Sequence, residues 1–196
     1  FVRPASVDVD ESNGEIYVAD GELPGGNTRI AVFNADGSFQ RQWRLHRDDN
    51  DKRIELPHCL RISDDGLIYV CDRRADQIQV FDKQGELQQK IRAPHTPLSD
   101  SNGRISGVRG DTVVLDFSTD AEQQYLYVVN QNSMTVEVLD RRTGEWITRF
   151  GGGPGRYPGQ FELPHGIAVD SDGNVYVAEQ GGRRCLLYTS DAADDP

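Results

Sequence analysis

Two histidines stand in nearly the same words. Leu56-Pro57-His58 opens "LPHCLRISDDGLIYVCDRR", and Leu163-Pro164-His165 opens "LPHGIAVDSDGNVYVAEQG". A neutral imidazole is a good ligand for zinc or another divalent cation, and a bound cation lowers the pKa of a hydroxyl it touches. Two such ligands fall short of a usual catalytic set, which is about three protein groups plus water. The plainer reading is that Pro-His packs the start of a repeat and lines a channel through backbone bonds. Arg73 can grip a ligand carboxylate with its planar fork, or pair with Asp72 or Asp76 in a loop. Asp72 recurs after a strand as Asp20, Asn130 and Glu179, which favours a role in the turn. Cys59 and Cys71 lie equally far from Asp65 in the Asp64-Asp65-Gly66 turn. A hairpin there sets them opposite each other, as a disulfide in an oxidising compartment or, the commoner outcome, as two buried thiols. His46 and His95 fall in loops and are expected to face solvent. "FGGGPGRYPGQF" (150–161) lacks the Lys-Ser/Thr of a phosphate loop, and no helix follows it, so it reads as a connection.

These residues sit in a repeated frame. Each copy has a short alternating strand, a D/N-G turn and an aromatic-Val strand, then a third and a fourth strand. Copies run over 3–43, 56–91 and, more loosely, 111–150, with a partial copy over 163–184. Val7 and Val9 alternate with Asp8 and Asp10, and Ile78 and Val80 with Gln77 and Gln79, as in half-buried strands. Asn13-Gly14, Asp36-Gly37, Asp65-Gly66 and Asp172-Gly173 supply turns. No segment has sustained helical periodicity. Four strands per roughly 40 residues is the signature of a β-propeller blade. The expected fold is all-β, a partial propeller of about three and a half four-stranded blades from a six-bladed ring.

Composition narrows the partners. The 196 residues carry a formal net charge of −11, which argues against nucleic acid or an anionic membrane surface. No apolar run reaches the roughly 20 residues of a membrane span. Three cysteines do not make a disulfide scaffold at this length. The chain starts at Phe1, without an initiator Met or a signal-peptide pattern, so the true N-terminus is expected to lie upstream. Its tail, Cys185–Pro196 ("CLLYTSDAADDP"), departs from the repeat and matches the translation of a transposase adapter used in sequencing libraries. The tail is therefore set apart from residues 1–184 as an expected artefact.

The words "RPASVDVD", "GEIYVADG", "TRIAVFNADGSF" and "GPGRYPGQFELPHGIAVDSDGNVYVAE" resemble NHL repeats. Within that group the chain is similar to peptidyl-α-hydroxyglycine α-amidating lyase. The similarity rests on Phe1–Val9, on Asp20-Gly21 with Arg29-Ile30, on His58 followed by Asp72-Arg73, and on Pro158–His165. The resemblance implies a six-bladed ring holding zinc or another divalent metal on three histidines. His58 and His165 would be two of them, and the third would lie upstream of Phe1. Arg73 would take the position of the active-site arginine. It further implies a peptide-like small substrate, cleaved to a peptide amide and glyoxylate, and a place outside the cytoplasm. Two positions depart from that pattern. Gly166 stands where the lyase has Asp, and Glu22-Leu23-Pro24 stands where it has a nearby Tyr. The other reading is a non-catalytic propeller binding a basic or neutral protein, peptide or glycan.

Overall fold

The computed structural model describes residues 1–22, 25–47, 55–96, 98–99, 105–106 and 111–189, the two short pairs by backbone alone. Among them there are strands and turns and no helix. The chain divides into two compact units, Phe1–Arg92 and Ala93–Pro196.

The first unit holds two four-stranded antiparallel meanders. One consists of β1 (Pro4–Val9), β2 (Ile16–Asp20), β3 (Arg29–Phe33) and β4 (Phe39–Arg44). The other consists of β5 (Pro57–Ile62), β6 (Ile68–Asp72), β7 (Gln77–Phe81) and β8 (Leu87–Arg92). These are the propeller blades expected from the repeat. Gly14, Gly37 and Gly66 take φ of +77°, +82° and +80°, where a Cβ would clash, so each D/N-G pair turns the chain sharply into the next strand. Tyr17, Ala19, Ile30, Val32, Leu60, Ile68, Val70 and Phe81 form one buried cluster, with Trp43 packed against it. Burial of each large apolar side chain there contributes about 1.5–3 kcal/mol. The half-buried alternation expected for β7 is not what forms. The whole strand is buried, because its polar members are satisfied internally. Gln79 accepts from the His46 amide at 2.7 Å and donates to the His46 carbonyl at 3.0 Å.

The second unit begins with the short hairpin of β9 (Leu98–Ser99) and β10 (Ile105–Ser106). A third four-stranded sheet follows, made of β11 (Thr112–Phe117), β12 (Tyr125–Asn130), β13 (Thr135–Asp140) and β14 (Trp146–Phe150). The last sheet has three strands, β15 (Pro164–Val169), β16 (Val175–Glu179) and β17 (Cys185–Tyr188). Val113, Val129, Val136, Phe161, Val175 and Val177 make its core. The 150–161 connection folds its Phe161 into that core, with Tyr188 at 5.8 Å between ring centres. β17 lies within the segment read as adapter-derived. An open sheet edge accepts any short alternating apolar strand through backbone bonds, whatever its origin. Residues 190–196 of that segment lie outside the described residues.

Candidate functional site

The repeated L-P-H has a backbone cause. In all four blades the first strand pairs with the second, and the register slips by one residue near its start. The slips fall between Pro4 and Ser6, Pro57 and Cys59, Thr112 and Val114, and Pro164 and Gly166. The extra residues are Ala5, His58, Val113 and His165. A β-bulge of this kind re-aims the side chain it carries. Proline suits the first strand position because it has no N–H to give to a ladder. Two blades put histidine on the bulge, and two put a small or branched apolar residue there.

Around His58 the chain builds a close set of charged groups. Gly21 must be glycine here, since a Cβ would lie 2.5 Å from Cγ of Pro57. The amides of Gly21 and Glu22 both donate to the Arg3 carbonyl at 3.0 Å. That clamp lays the loop on Pro57 and carries the Glu22 carboxylate to the second blade. Glu22 Oε2 is 3.2 Å from His58 Nε2, and Oε1 is 3.3 Å from an Arg73 guanidinium nitrogen. Glu22 Oε2 is buried without an aligned hydrogen bond, so its contact with His58 is one of proximity and charge. The His58 side chain is only 10% exposed.

Arg73 thus reaches Glu22, a partner 51 residues away, while the Asp72 carboxylate turns inward. Asp72 accepts from the Leu56 amide at 3.1 Å and from Gln77 and Gln79 at 3.4 and 3.5 Å. Burial pushes its pKa up, and these bonds only partly oppose the rise. Asp20 holds the same place in the first blade. Burial acts on it too, but donation from Asn27, the Arg3 and Val2 amides and Arg29 outweighs it and lowers the pKa. The recurring acid therefore ties the opening of each blade to the end of its second strand, and Asn130 and Glu179 do so through the amides of Asp111 and Glu162.

Cys59 and Cys71 are register partners on β5 and β6 and form a disulfide. The commoner expectation of two thiols is corrected. The pairing brings their Cα atoms to 4.9 Å, inside bonding range. The disulfide fastens the strand immediately after the His58 bulge.

In the second unit, His165 is half-buried on its own bulge. A Cβ on Gly166 would come 3.1 Å from that of Ala178, so an aspartate there would crowd β16. His46 is exposed, as expected. His95 is not. It is half-buried, its Nδ1 is 3.1 Å from Ser133 Oγ, and its Nε2 is buried. Its neighbour Ala93 is buried, which draws this loop inward.

Within each unit, no three His, Cys, Asp or Glu groups gather at metal-ligand spacing among the described residues. The His58–Glu22 pair supplies two donors, fewer than a catalytic zinc needs. Within the first unit, His58 and Glu22 do not complete such a set by themselves. Glu22 is the participant that sequence reasoning missed, having marked only an absent Tyr there. The available signal was Gly21, a glycine demanded by close approach. Leu23 and Pro24 lie outside the described residues.

Comparison with known proteins agrees with this architecture. The NHL repeat pattern matches residues 1–33, 56–81 and 161–186, so the chain carries NHL repeats. It is 32% identical over 206 residues to peptidyl-glycine alpha-amidating monooxygenase B of Xenopus laevis, across 99% of this chain and 21% of that protein. It is 26% identical to peptidyl-alpha-hydroxyglycine alpha-amidating lyase 1 of Drosophila melanogaster, across 91% of this chain and 33% of the fly protein. The chain thus spans about a fifth of the frog relative and a third of the fly one. Among solved structures, hydrazine synthase of Kuenenia stuttgartiensis superposes with a TM-score of 0.66 at 13% identity, covering 97% of this chain and 47% of that one. That likeness is one of fold.

Proposed function

We propose that this chain is part of an NHL propeller that splits peptidyl-α-hydroxyglycines, or related hemiaminals, into an amide and glyoxylate. The observation that carries the reading is that His58 and His165 occupy one bulged backbone position in two blades. Similarity to the amidating enzymes across nearly the whole chain supports it. In this reaction the hydroxyl gives up its proton and its carbon becomes the aldehyde of glyoxylate. The C–N bond breaks, and its electron pair passes to the amide nitrogen, which takes a proton. Arg73 binds the carboxylate that leaves with glyoxylate. Glu22 must first yield its place beside Arg73. His58 and His165 are proposed as ligands of zinc or another divalent cation, on the strength of their repeat position. The steps above are assigned without that cation. The Cys59–Cys71 disulfide supports an oxidising compartment outside the cytoplasm.

The test is glyoxylate release by the full-length protein from benzoyl-α-hydroxyglycine, with zinc supplied. Arg73→Ala is expected to lower kcat/KM by roughly 10- to 100-fold, the worth of one charged hydrogen-bonded contact. No glyoxylate from metal-replete protein would end the lyase reading. Glu22 itself favours a second reading. Its carboxylate already occupies both His58 and Arg73, as suits a propeller that binds a protein, peptide or glycan without turnover.

A further inference from the structure

The first blade has a cavity of about 260 Å³ lined by Asn27, Arg29, Gln42, Trp43 and Arg44. Asn27, Arg29, Gln42 and Arg44 each carry a side-chain N–H donor, while the Trp43 ring packs on Tyr17 and Phe81 on the other face of β4. β3 and β4 pair so that Arg29 faces Arg44 directly. Like charges in that relation destabilise a sheet. The second blade avoids the conflict, with Gln77 opposite Arg92 at the same place.

The two arginines differ in what balances them. Arg29 is matched by buried Asp20, through Nε at 3.1 Å and a second guanidinium nitrogen at 3.1 Å. Its remaining terminal nitrogen donates to Gln42 Oε1 at 2.6 Å. Two of its five N–H groups are thereby hydrogen-bonded, and the third nitrogen lies in ion-pair contact with Asp20. Arg44 is exposed and has neither an ion pair nor a hydrogen-bonded partner among the described residues. One Asn27 amide hydrogen goes to Asp20 and the other is spare. The cavity therefore holds an excess of donors and one unbalanced positive charge, on a chain whose net charge is −11. A planar or tetrahedral oxyanion satisfies a guanidinium fork through paired N–H bonds.

We infer that the cavity between Arg29 and Arg44 is a binding site for a small oxyanion, borne by a compact ligand as a carboxylate, sulfate or phosphate group. It is separate from the His58–Glu22–Arg73 set and does not rest on the lyase reading.

The experiment is isothermal titration of the protein at low ionic strength with sodium sulfate, inorganic phosphate and acetate, each against a chloride background. Saturable binding at one equivalent is expected, weakened at least tenfold by Arg44→Gln. Arg92→Gln, which removes the corresponding charge of the second blade, should leave it unchanged. Stronger sulfate or phosphate than acetate assigns a tetrahedral anion, and the reverse assigns a carboxylate. Arg44→Gln should melt within a degree or two of the wild type, since Arg44 holds nothing. Non-saturable heats, or equal loss in the Arg44 and Arg92 variants, would overturn the assignment in favour of diffuse charge.

Discussion

Asp20 and Asp72 occupy the same place in adjacent blades, and their chemistry is opposite. Both are buried at the end of the second strand, and both hold the amide that opens their blade. Asp20 is surrounded by donors, including the Arg29 guanidinium, and is held as an anion below the usual carboxylate range. Asp72 meets two glutamine amides, and burial raises its pKa. The fold needs an acceptor at this position, and a full charge is optional. Asn130, a neutral residue doing the same work in the third blade, makes the same point. In the second blade the arginine next to the carboxylate is Arg73, and it turns to Glu22 instead. Gln77 stands in the second blade where Arg29 stands in the first, and Arg73 pairs with Glu22, whose other oxygen lies against His58.

The sharpest way to break this contrast is to truncate the charged member. Asp20→Ala removes acceptors from two amides, Asn27 and Arg29, and strands the guanidinium. A loss of about 3–5 kcal/mol is expected in urea denaturation, as for other broken buried ion pairs. Next in size is the disulfide, which belongs to the second blade alone. Cys59→Ala with Cys71→Ala should cost about 3 kcal/mol, the entropy of a short closed loop, and reduction of the wild type should cost the same. Gly21→Ala tests the link between the blades. The added Cβ meets the Pro57 ring, so about 1–3 kcal/mol should be lost. The Glu22–His58 contact should open with it, seen as a shift of the His58 ring resonances.

The smallest effect discriminates most finely. Asp72→Asn should change stability by about 1 kcal/mol or less at neutral pH, because an amide oxygen can still accept from the Leu56 amide without bringing a charge into the buried site. The pH dependence carries the sign. Asp20 has a folded pKa below its unfolded value near ~3.9, so its contribution is complete above that pH and drains as the pH falls through the folded value. Asp72 is the reverse: its contribution is complete in acid and is lost as the pH rises through the folded value. Relative to wild type, Asp72→Asn should therefore fare better at pH 7 than at pH 3.5, and Asp20→Asn worse. If the two variants trace parallel curves in a pH series of urea melts, the contrast is wrong.

Much of this was legible along the chain. Strand and turn positions follow from period-two alternation and D/N-G pairs, which act within a few residues of themselves. The opposition of Cys59 and Cys71 follows from counting outward from a turn, and the equivalence of His58 and His165 from the repeated words around them. The sequence by itself thus determined the strands, the turns and the repeated blade position that His58 and His165 share. What tertiary structure alone decided is which groups meet. The bulge that aims His58 is a mismatch between two strands, invisible in either one. Glu22 reaches Arg73 across 51 residues because Gly21 lets one blade's loop rest on the next blade's proline. The bond between the cysteines, the inward turn of His95 and the opposite pKa shifts of Asp20 and Asp72 have the same origin. Each depends on distances between segments far apart in sequence, and those distances exist only once the sheets have packed.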